Sequence, residues 1–443
     1  MPYVSNSLAD LIREAAHPLT STSGDYGPLI DLAAGRDFVL LGEATHGTHE
    51  FYRARAEITK RLVRELGFNA VAVEADWPDA YRINRFIRNM SSDEEAFEAL
   101  DDFKRFPTWM WRNADVLDLI GWLREQNRRL LEDGRSVGWF GLDLYSLFRS
   151  IDAVLQYLDR VDPAGARSAR ARYACFDHFA ENSQAYGFAA NTKPSEACEK
   201  AVLEELMELH QQAARYRSED PDEFFFAEQN ALLVKNAEAY YRTMFDGQID
   251  SWNLRDRHMM ETLENLVEHL KQQTGSAKVI VWAHNSHLGD ARATQMGDMG
   301  EWNLGQLIRE KYAAKSLLVG FTTFSGTVTA ASDWDKPAER KWVRPALRGS
   351  YESIFHDTDI PRFLLDLKSH DQLAGELGTA RLQRAIGVVY RPETERASHY
   401  YNASLSQQFD AVVHFDESRA VEPLERSANW DRGELPDTYP SAF

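Results

Sequence analysis

Imidazoles and carboxylates are concentrated in a few short segments of this chain, and their types and spacing suit proton transfer. In VLLGEATHGTHEF, Glu43 and His46 lie three residues apart in a glycine-flanked turn, and in VIVWAHNSHLGD an apolar run is followed by His284, Asn285 and His287. Two further apolar runs end on acids: AVAVEADWPD delivers Glu74 and Asp76 with Trp77, and GLDLY delivers Asp143. A neutral imidazole takes a proton from water, and a carboxylate beside it fixes which ring nitrogen carries the hydrogen. Any one of these residues has an ordinary explanation, because polar residues at strand ends cap helices or bond loop backbone. For Asp76 and Asp143 that explanation serves equally well. Glu43, Glu74, His46, His284 and His287 taken together form the set that acid–base chemistry requires. His46 also precedes a segment, Thr48 to Leu66, that reads as a helix with Thr48 as N-cap. The positive end of that helix disfavours imidazolium, while Glu43 pulls the other way and sets the tautomer. Of Arg53 and Arg55 on this helix, only one is able to face the turn.

These residues need elements that hold them on one rim. Short apolar runs recur between longer helix-period segments: Phe38 to Leu41, Ala70 to Val73, Val137 to Phe140, Val279 to Trp282, Leu317 to Phe321 and Ala385 to Val389, with one more at Ala411 to Phe415. Strands alternating with helices predict an α/β fold, a mainly parallel sheet flanked by helices, whose ligands bind outside the carboxyl ends of the strands. The stretch from Ser195 to Gln273 is almost strandless. Helical spacing over Ser195 to Arg215, Pro221 to Met244 and Leu254 to Lys271 predicts a helical insertion, a lid or bundle. The expected organisation is a core in two parts, residues 1–194 and 274–443, interrupted by the insertion at 195–273.

The segments GEATHGTHEF, AVAVEADW, FPTWMWRN, GLDLYSL and VWAHNSHLGD resemble the erythromycin esterase family over most of the chain. The resemblance implies an α/β hydrolase with helical additions, from a family that includes enzymes opening the lactone ring of macrolides and others labelled as exopolysaccharide-synthesis proteins. Carried over by motif, it implies His46 as the base that activates water, Glu43 and Glu74 nearby, and Arg55, His284 and His287 completing the site. The expected reaction is cleavage of an ester or lactone by water, with Glu43 and Glu74 holding His46 or the water and with Arg55, His284 and His287 stabilising the oxyanion. Trp77, Asp76, Trp109 and Asn285 are the expected substrate-binding residues.

Other readings compete. His46 with His49, and His284 with His287, have HxxH spacing, so with Glu43 and Glu74 the rim offers ligands for a divalent metal; no cofactor is otherwise called for. GRSVG at Gly134 to Gly138 spells the serine-hydrolase elbow but leads into a strand instead of following one. Ser286 beside the histidines lacks that elbow pattern. The aromatic run Phe106 to Arg112 and Trp77 suit a cleft for a large, partly apolar ligand, although one of Trp109 and Trp111 belongs to the core. Met296 and Met299 lie in a glycine-bearing loop that suits a flap. A non-catalytic binding protein is the remaining alternative, and it has no need of a poised imidazole.

Composition narrows the partners. The 443 residues carry 50 Lys and Arg against 69 Asp and Glu, a formal net charge of −19, which argues against nucleic acid. A small-molecule ester or lactone remains. No stretch approaches the ~18 consecutive apolar residues of a membrane span, and the N-terminus has no secretory pattern. Cys175 and Cys198 are too few for a disulfide framework, so a reducing cytoplasm is the expected compartment.

Overall fold

Four apolar runs build the parallel part of the structure, a computed structural model that describes residues 7–22, 24–179, 182–245 and 247–433. Phe38–Leu41 pairs in parallel with Val279–Trp282 on one side and with the long strand Ser316–Ala330 on the other, and Ser316–Ala330 pairs in parallel with Ala411–Ser418. With His17–Pro18 as β1, these four are β2, β5, β6 and β11. The others are Ala70–Asp76 (β3), Gly138–Asp143 (β4), Glu339–Val343 (β7), Arg362–Asp366 (β8), Arg381–Arg384 (β9) and Tyr400–Ala403 (β10). Every residue of β2 and β5 is buried, as a parallel sheet covered on both faces demands. Leu41 stands opposite both Trp282 and Val319. β2 and β5 therefore end level, and the residues after them leave from one rim.

The chain forms two units, Met1–Val71 with Phe86–Val137 and Lys278–Phe443, and Ala72–Arg85 with Gly138–Ala277. In the first the strand path is β1-β8-β11-β6-β2-β5 with β7 on β6. Its outer strands β8 and β1 run antiparallel, and β9 and β10 form a separate antiparallel ribbon. In the second, β4 neighbours β3, and the helices include Leu147–Val161, Pro163–Tyr173, Ser183–Thr192, Glu199–Gln211, Ala213–Glu219, Pro221–Thr243 and Gln248–Thr274. Pro221–Thr243 touches five of the others. Its buried residues, from Phe224 and Phe225 through Asn230 to Leu233 and Tyr241, go round the whole helix, the mark of a central bundle helix. The architecture is α/β, a mainly parallel sheet flanked by helices.

Two expectations change. Ala385 to Val389 is not a strand: Ala385 N–H donates to His399 O and Ile386 N–H to Ala44 O, leaving only isolated bridges at Ile386 and Val389. The strand lies just before it, as β9. The two cysteines, read as unsuited to a disulfide framework, are bonded to each other, with Cα atoms 6.0 Å apart. This crosslink joins the segment after Pro163–Tyr173 to the start of Glu199–Gln211. Among the described residues no helix is long and apolar enough to cross a membrane.

Candidate active site

The loop after β2 carries the first pair of candidates, and its backbone is tied on every side. Gly42 N–H continues the ladder to Val319 O, Glu43 O accepts from Asn285 N–H, and Ala44 O accepts from Ile386 N–H. Gly47 O accepts from both Thr329 and Val421 N–H groups. Two glycines make this approach possible, since a Cβ would lie 2.1 Å from Asn285 Oδ1 at Gly42 and 1.8 Å from Thr329 O at Gly47. The helix His49–Leu66 follows with Thr48 at its N-cap position. The Thr48 hydroxyl, however, meets Thr45 Oγ1 and not a helix N–H.

His46 and Glu43 are both buried, and His46 Nδ1 lies 2.9 Å from Glu43 Oε1. Arg55 Nη2 donates to the other carboxylate oxygen at 2.6 Å. A carboxylate facing a guanidinium offers only lone pairs, so in the neutral ring His46 Nδ1 carries the hydrogen and Nε2 carries the lone pair. Arg55 is 1% exposed, with its guanidinium carbon 4.5 Å from the ring centres of Tyr52 and Trp282. Its Nη2 is directed at Glu43, and the two aromatic faces pack against its guanidinium. Tyr52 Oη lies 2.9 Å from the carbonyls of both His46 and Met110, fixing the turn against the segment Thr108–Met110.

The loop after β5 supplies the second imidazole. His284 and His46 have ring centres 4.9 Å apart, tilted by 47°. His284 caps the short helix Asn285–Leu288: its Nδ1 accepts from Ser286 N–H at 3.2 Å and lies 2.8 Å from Ser286 Oγ. A backbone N–H only donates, so Nδ1 holds a lone pair and the neutral ring carries its hydrogen on Nε2. The two histidines thus take opposite tautomers. Asn285, expected at the substrate, is fully buried; its amide nitrogen donates to Phe321 O and its Oδ1 accepts from Phe321 N–H. His287 is buried in the same turn. Trp109 and Trp111 are both buried, and Trp109 Nε1 has no hydrogen-bond partner among the described residues. His49, from the HxxH spacing, has its Nδ1 2.8 Å from Asp115 Oδ2. Among the described residues no group of three or more His, Cys, Asp and Glu side chains is placed to hold a metal ion.

The second unit holds the remaining candidates. Arg255 Nη2 donates to Glu74 Oε1 and to Asp143 Oδ2, both at 2.7 Å, and Nε donates to Asp143 Oδ1 at 2.9 Å. Burial opposes the Arg255 charge, but Asp143, Tyr145 and Glu74 outweigh it and raise its pKa well above that of a free arginine. Nothing in the sequence marked Arg255, which sits mid-helix more than a hundred residues from either acid. Trp77 is buried against the central helix, its Nε1 donating to Phe226 O and its ring 5.6 Å from Phe225. Asp76 is buried at the end of β3.

The family model for erythromycin esterase matches residues 63–418, beginning after Glu43 and His46. A putative hydrolase of Bacillus subtilis, YbfO, is 23% identical over 91% of this chain and 89% of its own length. Erythromycin esterase type II of Escherichia coli is 23% identical over 69% of this chain and 73% of its own. The crystal structure of a succinoglycan biosynthesis protein shares the fold with a TM-score of 0.78 at 20% identity, covering 95% of this chain and 99% of that one.

Proposed function

The chain belongs to the erythromycin esterase family, and on that premise we propose that it hydrolyses a carboxylic ester or lactone by His46-assisted attack of water. The observation that carries this reading is that His46 Nδ1 lies 2.9 Å from Glu43 Oε1 while His284 Nδ1 accepts from Ser286 N–H, which in the neutral rings assigns a lone pair to His46 Nε2 and a hydrogen to His284 Nε2. His46 Nε2 takes a proton from water as the water oxygen bonds to the carbonyl carbon. The carbonyl oxygen becomes an oxyanion and accepts a hydrogen bond from His284 Nε2–H. Preorganised donation of this kind is worth about 10²-fold to 10³-fold in rate. The tetrahedral intermediate then collapses and His46 returns its proton to the leaving alkoxide, so the products are an acid and an alcohol and the net addition is one water. Glu43 keeps the hydrogen on His46 Nδ1 throughout, and Arg55 holds Glu43. Arg55 is therefore a positioning residue.

The substrate side rests on family resemblance, since relatives are named for erythromycin and for hydrolysis in general. We propose a neutral or cationic ester or lactone, which suits a chain of net charge −19. Incubating purified protein with a macrolide and with a panel of simple esters, and following acid release, tests the reading. Turnover dependent on His46 supports it, and stoichiometric binding without turnover refutes it.

A further inference from the structure

We propose that the second unit carries a ligand site of its own, for a small organic ammonium compound in which a protonated amine is borne on an apolar body. The site is the cleft formed by Leu147–Val161, Pro163–Tyr173 and the segment Ala174–Phe179. Its volume is about 560 Å³, within the roughly 300–1,000 Å³ of small-molecule sites. None of its lining residues belongs to the candidate active site, so the proposal stands apart from the hydrolytic reading.

The apolar wall is built in advance of any ligand. Phe148, Ile151 and Leu155 follow one another at helical spacing and share one face of Leu147–Val161. Tyr173 and Phe176 complete the wall, and both are buried. The rings of Phe148 and Phe176 meet edge to face, with centres 6.1 Å apart and planes at 79°, and Phe176 is backed by Tyr186 at 4.8 Å. Cys175, between Tyr173 and Phe176 in the chain, is bonded to Cys198. This crosslink fixes the wall to the start of Glu199–Gln211, and a wall already in place loses little entropy when a ligand arrives.

Charge selects the occupant. Asp152 and Asp177 line the cleft and are exposed. Arg170, the cation of the lining, donates through both terminal nitrogens to the two carboxylate oxygens of Asp159. An anion would therefore meet two carboxylates beside a guanidinium already neutralised, and a neutral apolar compound would gain nothing from the carboxylates. A protonated amine pairs with them and is attracted by the ring faces of Tyr173 and Phe176, while its apolar body covers Ile151 and Leu155. The net charge of −19 raises the local concentration of such a cation.

The test titrates three probes of similar size into the full-length protein and follows them by ligand-observed NMR: 2-phenylethylammonium, neutral 2-phenylethanol and anionic 3-phenylpropanoate. The expected result is saturable binding of the ammonium compound, weaker binding of the alcohol and none of the acid. Leu155→Trp, which fills the cleft, should abolish ammonium binding while circular dichroism shows the fold retained. Two milder substitutions decide the matter even where that variant does not fold. Asp177→Asn should weaken binding about two- to fivefold, the size of an exposed ion pair, and Phe148→Ala about two- to tenfold, the size of one aromatic contact. Binding should be unchanged in His46→Asn. Equal binding of the alcohol, absence of saturation by the ammonium compound, or affinity unaltered in both Asp177→Asn and Phe148→Ala overturns the site.

Discussion

At the scale of single residues, Glu43 does two jobs, orienting His46 and receiving Arg55. Because Arg55 and Glu43 are both almost wholly buried, removing one charge strands the other. Arg55→Met is expected to lower stability by about 3–5 kcal/mol, measured by urea unfolding, and to reduce turnover even where the protein remains folded. His284 separates differently: as a donor it should be replaced in part by Gln and not by Phe. His284→Phe is expected to lose about 10²-fold to 10³-fold in kcat, with His284→Gln recovering a portion; equal activity of the two variants would remove His284 from the oxyanion. Glu43 and His46 were legible in the sequence because the pair is local, three residues apart in one turn. The task of Arg55 was not. One of the two rings that hold it, Trp282, comes from a strand far along the chain, and no local pattern announces that contact.

At the scale of elements, the site depends on how closely the His46 turn lies on β6. Gly47→Ala places a methyl carbon against Thr329 O, and backbone cannot move aside as a flexible side chain can. This variant is expected to lose most activity and to lower the thermal midpoint, whereas Gly121→Ala, where nothing stands in the way of a Cβ, serves as the neutral control. The Cys175–Cys198 bond closes a loop with a sequence separation of 23, for which chain entropy gives about 3 kcal/mol; reduction should lower the urea midpoint, and Cys198→Ser should abolish the difference between reduced and oxidised protein. The buried parallel strands were readable as apolar runs. The outer strands and the ribbon were not, since Glu339–Val343 and Arg381–Arg384 are rich in charge. Arg384 is buried only because Glu395, the Tyr400 hydroxyl and the Thr323, Phe324 and Arg344 carbonyls meet its guanidinium. Such compensation arises in tertiary structure and leaves no periodicity.

At the scale of the whole molecule, charge and burial set the working range. Burial pushes His258 down to about 4, although Asp143 opposes the shift. A histidine lowered in the folded state binds its proton more readily when unfolded, so the stability it contributes is present above the ordinary value of 6.5 and lost as pH falls to about 4. The span corresponds to about 3 kcal/mol, and urea midpoints between those pH values should fall in the wild type and fall less in His258→Gln. Glu352 and Glu395, raised by burial against the pull of Arg384, act in the opposite direction. The net charge of −19 predicts higher kcat/KM for a cationic ester than for its anionic counterpart, with the ratio approaching one as salt screens the field. The measurement that tests the central claim most directly is mass spectrometry of a macrolide and of simple carboxylic esters incubated with wild type and with folded His46→Asn, each with and without chelator. The wild type is expected to add one water in both conditions, and the variant to lose about 10²-fold or more in rate. Undiminished turnover by His46→Asn would contradict the central claim.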